Sequence, residues 1–175
     1  CGSGAVGLAL ATEREGLVVL QGDRSPEAVA ATVADRDRLA GAGRLRSPVQ
    51  VLRGDLLAAF AATDRPVPDV VVANPPYLPE EELATLEPEV VDHDPHPALV
   101  GGADGHEVVD ALLAAAATGL RPGGGIALEI DARRADEVAA TAARAGLVDV
   151  AVHRDLTGAD RFVVARRPGR APTQR

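Results

Sequence analysis

The chain has 175 residues, 46% hydrophobic and 25% charged, which is enough for one globular domain with one core. A formal net charge of −8 argues against a broad nucleic-acid surface, and a single cysteine, Cys1, excludes an internal disulfide or a cysteine-rich metal site. No apolar run approaches the length of a membrane span, so a cytoplasmic protein with no membrane partner is the expectation. All 18 basic residues are arginine, and with so few aromatic residues the core must be built from Val, Leu, Ala and Ile.

The chain opens on Cys1 rather than Met, inside the glycine-rich stretch Cys1-Gly2-Ser3-Gly4-Ala5-Val6-Gly7. Such a loop ordinarily follows a strand, so the expectation is a sequence truncated at its N-terminus, with the first strand of the sheet missing. A helix is predicted over residues 5–15 and is ended by Gly16. Residues 17–20 then read as a strand, and the stretch from Gly22 to Pro26 reads as a turn. Ser25 followed by Pro26 is an N-cap and first-position pair, opening a helix that runs to about residue 40, where Gly41 and Gly43 break it. A third strand covers residues 49–52 and ends at Arg53-Gly54-Asp55, with a short helix over residues 56–62 after it.

The apolar run Val70-Val71-Val72-Ala73 reads as a buried strand. Pro75 and Pro76 then forbid helix and ladder alike, so the chain leaves the sheet at Asn74 as an extended turn. A long segment rich in Pro, Glu, Asp and His follows, with a helical turn over residues 80–86. Further helices are predicted over residues 104–119 and 133–145, and a strand over residues 126–130. Residues 147–153 and 161–166 read as an antiparallel hairpin at one sheet edge, and residues 167–175 as a disordered polar tail. Alternating strands and helices make this an α/β fold with a mostly parallel sheet, and the final hairpin suits class I methyltransferases better than nicotinamide-binding domains.

Several residues carry chemistry. Gly2-x-Gly4-x-x-Gly7 matches a dinucleotide-binding fingerprint, whose glycines allow a tight turn and close approach of a ligand; NAD and S-adenosylmethionine fit it equally. Asp23, at the end of the second strand, can accept both hydrogen bonds of a ribose diol or serve as a turn aspartate before the next helix. Asp55 can accept a hydrogen bond from an adenine amine or cap the short helix that follows it. Asn74-Pro75-Pro76-Tyr77 is more specific. The Asn74 side-chain oxygen and the Pro75 carbonyl make two adjacent acceptors suited to a planar NH₂ group. Tyr77, the only tyrosine, can cover such a group. His93, Asp94 and His96 lack a recognisable metal spacing, so no metal is expected.

In this order, the glycine loop, the acidic strand ends and the Asn-Pro-Pro-Tyr turn resemble the HemK family of protein-glutamine methyltransferases, which modify peptide-chain release factors. The resemblance continues through Glu89-Val90, Asp94-Pro95, Ala98-Leu99, Gly101-Gly102, Asp104-Gly105, Leu128-Glu129-Ile130 and Asp155-Leu156-x-Gly158-x-Asp160-Arg161. It covers roughly residues 1–166, which it implies to be one catalytic domain with the fold of a class I S-adenosylmethionine-dependent methyltransferase. It implies cofactor binding by Gly2, Gly4, Gly7, Asp23, Asp55 and Asn74. It also implies catalysis at Asn74, Pro75 and Tyr77, and substrate contacts at Asn74, Pro75, Pro76, Tyr77, Asp94 and Pro95. The implied partner is a release factor, with no direct contact to nucleic acid. Departures are Asp94 for a usual Glu, His93 and His96 for an aromatic residue and an arginine, Asp131 for a glycine, and Arg134 for a glutamine. Two other readings stay open: methylation of an exocyclic amine on adenine or guanine, and a non-catalytic truncated remnant.

Overall fold

In the computed structural model, which describes residues 1–61, 67–85 and 95–169, the chain folds as two units, Cys1–Arg65 and Pro66–Arg175. The first runs α1 (Ala5–Glu13), β1 (Val19–Asp23), α2 (Pro26–Gly41), β2 (Val49–Arg53) and α3 (Ala58–Ala61). β1 and β2 are parallel, with Val19 opposite Val49 and Asp23 opposite Arg53. β1 therefore lies later than the sequence predicted. The ladder to β2 carries Gln21, Gly22 and Asp23 into the sheet despite their polar, turn-like character. Leu17 instead gives its N–H to the Ser47 hydroxyl at 3.1 Å.

Helix α2 begins as the sequence predicts, with Ser25 Oγ accepting from Ala28 N at 3.1 Å and Pro26 at the first position. Leu8 and Ala11 of α1 bury against Val49, with Val19, Leu39, Leu45 and Val51 packed around them. Helix α3 is shorter than predicted because Leu56 sits in the left-handed region at φ +44°, which starts no helix. Residue 62 of that prediction lies outside the described residues.

The second unit contains β3 (Val70–Ala73), a 3-10 helix at Glu80–Thr85, α4 (His96–Leu99), α5 (Glu107–Gly119) and β4 (Gly125–Glu129). It continues with a 3-10 turn at Ala132–Arg134, α6 (Ala135–Arg144), β5 (Val148–Arg154) and β6 (Asp160–Arg166). Its sheet has the order β3-β4-β6-β5. β3 and β4 are parallel, and β6 is antiparallel to both β4 and β5, so the terminal hairpin forms the sheet edge that the sequence indicated. The core is legible as periodicity. Val109, Leu112, Leu113 and Ala116 make the buried stripe of α5, while Ile126 and Leu128 alternate inward along β4.

Three details differ from the sequence reading. β3 is not a buried strand: Val70 is 61% and Val72 49% exposed, because among the described residues β3 ends its sheet and pairs only with β4. Helix α5 starts at Glu107 rather than Asp104, since Gly105 takes φ +79° and keeps that turn out of the helix. Arg167 is no part of a loose tail. It exchanges backbone hydrogen bonds with Gly123 and Gly124, at 3.1 and 2.8 Å, and gives Nη1 to the carbonyls of Thr118 and Leu120. Residues 170–175 lie outside the described residues, as do residues 86–94. Among the described residues no helix is long and apolar enough to cross a membrane.

Candidate active site

In the first unit the glycine loop is shaped by close contacts. Gly2 and Gly4 hold φ of +56° and +75°, open to glycine at little cost. A Cβ on Gly4 would fall 2.5 Å from Cγ2 of Thr32, a fully buried residue whose hydroxyl donates to the Gly2 carbonyl at 3.0 Å. A Cβ on Gly7 would fall 2.5 Å from Cδ of Gln21, so this glycine lets α1 pack closely on β1. A Cβ on Gly2 would meet nothing within 4 Å, so that side of the loop is open. Gly4 has no side chain with which to cap α1, and the first N–H groups of a helix have no partner within it.

Asp23 ties this loop to the strand end. Its Oδ2 accepts from Gly2 N at 2.8 Å and from the Cys1 amine, and its Oδ1 accepts from Ser25 N at 2.9 Å. Burial pushes its pKa up, but the hydrogen bonds from Cys1, Gly2 and Ser25 outweigh burial and hold the carboxyl below its usual range. The cap of α2 is Ser25, which leaves Asp23 as the loop's anchor. Gly54 N donates to the Asp23 carbonyl at 2.9 Å, bringing Asp55 to the same end of the β1–β2 pair. The Asp55 side chain is exposed and caps nothing among the described residues; only its backbone carbonyl accepts, from Ala58 N at 3.1 Å. Thr32 and Gln21 carried no signal in the sequence, because each matters only through a glycine far away in the chain.

In the second unit, Ala73 pairs with Leu128, so Asn74 leaves β3 at its carboxyl end, where open α/β sheets bind ligands. Asn74 is exposed, Tyr77 is half-buried and Pro75 is buried. Among the described residues nothing hydrogen-bonds the Asn74 side-chain amide. A pocket of about 230 Å³ is lined by Asn74, Pro75, Pro76, Tyr77, Leu78, Ala98 and Leu99. The sequence thus located one wall of the pocket. It missed the other, Ala98 and Leu99, which comes from the long segment folding back. Leu78 N donates to the Leu99 carbonyl at 3.1 Å, and Gly101 N to the Leu78 carbonyl at 2.9 Å. Pro95 is exposed at the start of α4 and does not line the pocket; Asp94 and His93 lie outside the described residues.

The glycines after the turn have a packing role. A Cβ on Gly101 would fall 2.6 Å from the Pro76 carbonyl, and one on Gly105 would fall 2.5 Å from the Tyr77 carbonyl. Asp131 and Arg134 stand near this loop. Asp131 Oδ1 accepts from Arg133 N at 2.9 Å, and Arg133 Nη2 reaches Glu82 Oε2 at 2.7 Å. The Arg133 side-chain hydrogen bond is the main reason that the Asp131 carboxyl titrates below its usual range. Arg134 Nη1 donates to the Asp104 carbonyl. At the hairpin turn, Arg161 Nε donates to Asp155 Oδ2 at 3.2 Å and Nη1 to the Ile130 carbonyl at 3.4 Å, tying the turn to the end of β4. The Thr157 hydroxyl leads the hydrogen bonds that bring the Asp155 carboxyl down to about 2.

No family model matches the chain. It is 36% identical over 173 residues to the release factor glutamine methyltransferase of Clostridium acetobutylicum, covering 96% of this chain and 57% of that protein. It is 41% identical over 168 residues to that of Deinococcus radiodurans, with coverage of 96% and 56%. It is 42% identical over 173 residues to that of Mycolicibacterium smegmatis, with coverage of 97% and 58%. The chain therefore spans a little over half the length of these curated relatives. Among solved structures, a methyltransferase from Pyrococcus furiosus superposes with a TM-score of 0.66 at 17% identity, over 95% of this chain and 71% of that one. The S-adenosylmethionine-dependent methyltransferase SibL gives 0.54 at 20% identity, over 95% and 48%. These likenesses show the fold, that of the class I methyltransferases.

Proposed function

We propose that the chain belongs to the family of the release factor glutamine methyltransferases, to which it is similar over nearly its whole length, and that it takes part in methylating the side-chain amide nitrogen of a glutamine in a peptide-chain release factor. The observation that carries this reading is the Asn74 amide, unpartnered among the described residues, in the lining of the same pocket as Pro75 and Tyr77. Asn74 Oδ1 and the Pro75 carbonyl accept the two hydrogens of the substrate NH₂ group and fix its plane. Tyr77 lies against that plane. An amide nitrogen is a poor nucleophile because its lone pair is shared with the carbonyl. Orienting it and excluding water from around it are what these residues contribute.

S-Adenosylmethionine is the cofactor of this reading, and the first unit fits it. The open side at Gly2, the uncapped start of α1, the anchored Asp23 and the exposed Asp55 are the donors and acceptors that a nucleoside with a charged tail requires. Asp23 would hold the ribose, Asp55 the adenine amine, and Gly2, Gly4 and Gly7 would shape the loop. Two of the roughly four acceptor positions of the Asp23 carboxylate are already used by the Gly2 and Ser25 backbone N–H groups, which leaves the others for the ribose diol. When bound, the cofactor supplies the methyl group. A release-factor substrate makes the cytoplasm the place of action and requires no membrane or direct nucleic-acid contact.

The test is incubation of the chain with isotopically labelled S-adenosylmethionine and either release factor, RNA or DNA, followed by mass spectrometry of the product. The reading expects label on one glutamine side chain of the release factor. Label on a nucleobase, or none on any substrate, would overturn it.

A further inference from the structure

The Asn74-Pro75-Pro76-Tyr77 turn has no regular structure of its own, so something outside it must hold the spacing of its two acceptors. The backbone behind it is the segment from Gly101 to Gly105. It approaches so closely that a single added Cβ at Gly101 would fall 2.6 Å from the Pro76 carbonyl, and one at Gly105 would fall 2.5 Å from the Tyr77 carbonyl and 2.9 Å from Pro79 N. Two side chains hold that segment: Glu107 Oε1 accepts from Ala103 N at 3.2 Å, and Arg134 binds its Asp104 end. Arg134 Nη1 donates to the Asp104 carbonyl and also lies 2.9 Å from the same added Cβ on Gly105. Arg134 is itself mounted firmly, in the 3-10 turn at Ala132–Arg134 whose Asp131 cap holds Arg133, which in turn reaches Glu82 of the 3-10 helix at Glu80–Thr85. The turn between β4 and α6 thus grips both flanks of the Asn-Pro-Pro-Tyr turn.

We propose that Arg134 is a positioning residue for the Asn74 and Pro75 acceptors: by holding the Asp104 carbonyl it presses the segment from Gly101 to Gly105 against the backbone of Pro76 to Pro79. Arg134 touches neither Asn74 nor the pocket, so its effect is on geometry and not on binding. The role rests on the function proposed above for that turn. A glutamine here has a shorter side chain and carries no positive charge, so the arginine is a distinct way of bracing the same loop.

The sequence supplies its own reporter. Tyr77 is the only tyrosine and there is no tryptophan, so the near-ultraviolet circular dichroism of the tyrosine band reads the turn directly. Arg134→Ala is expected to lose most of that band while the far-ultraviolet spectrum is kept, and Arg134→Lys, which keeps a donor, to regain much of it. Arg144→Ala, at the far end of the helix that follows Arg134 and bonded among the described residues to Thr141, is the control and should leave the band unchanged. In kinetics, Arg134→Ala is expected to lower kcat roughly 10- to 100-fold with the affinity for S-adenosylmethionine unchanged. A tyrosine band in Arg134→Ala equal to that of the parent overturns the proposal. So does collapse of the far-ultraviolet spectrum in both Arg134→Ala and Arg134→Gln, which would mark a general structural role. Absence of methyl transfer by the parent chain overturns the glutamine reading instead, and the dichroism still decides the role of Arg134.

Discussion

Gly7 lies directly against Gln21: the Cβ that any other residue would carry falls 2.5 Å from Cδ of that glutamine. Gln21 is 5% exposed, and its Nε2 has no hydrogen-bond partner among the described residues. A buried, unpaired amide costs stability. Gly7→Ala is expected to destabilise the first unit by about 1–3 kcal/mol through overpacking. The same change in a Gln21→Ala background should cost much less, because the clash is with that side chain. A double-mutant cycle in urea measures the coupling.

Gly105→Ala carries two penalties at once, a left-handed φ of +79° and a Cβ driven into the Tyr77 carbonyl. The expected loss is about 2–4 kcal/mol, since the clash is with backbone and offers no rotamer by which to escape. Thermal unfolding checks it, and the tyrosine band should change in the folded fraction.

Asp23 binds the glycine loop and is the proposed ribose acceptor. Asp23→Asn should lower the affinity for S-adenosylmethionine by roughly 10- to 100-fold, the span expected when a charged hydrogen-bond acceptor becomes neutral. Calorimetric titration measures it. The same variant should soften acid unfolding. The folded-state pKa of Asp23 is depressed, so its contribution to stability is present above the ordinary carboxyl range and is lost as pH falls through the folded value.

Asp155 gives a cleaner pH prediction. Its carboxyl is brought from 3.8 to about 2, so the stability it confers is complete above 3.8 and disappears as pH falls toward 2. Asp155→Asn should flatten that part of the acid limb and loosen the hairpin turn that Arg161 ties to Ile130. Melting temperature against pH, parent beside variant, is the measurement.

The parts of the fold that the sequence declared were local ones. Ser25 and Pro26 announced the start of α2, and Pro75 and Pro76 announced the exit from β3, because cap and proline chemistry act over a few residues. The apolar stripe of α5 was equally plain. What stayed hidden depends on pairing and packing between distant segments. β1 slid toward Asp23 because β2 offered a ladder there. The apolar residues of β3 proved half-exposed because its position in the sheet is not written in its own composition. At the site, Asn74 to Tyr77 stood out, Thr32 did not, and Ala98, Leu99 and Arg134 were visible only within the resemblance, with no role attached. Each of those acquires its role only when the chain folds back on a glycine or a turn far from it in sequence. Gly101 and Gly105 were visible as part of a resemblance, and the structure supplies their physical reason: they admit two strands of backbone at closer range than any side chain allows.

Asn74 and the Pro75 carbonyl are proposed to hold a planar amide for methyl transfer. The most direct measurement compares the parent with Asn74→Ala for methyl transfer to release-factor glutamine, together with the affinity of each for S-adenosylmethionine. The expected result is a fall in rate of roughly 100-fold or more with cofactor affinity nearly unchanged. An undiminished rate in Asn74→Ala would contradict it.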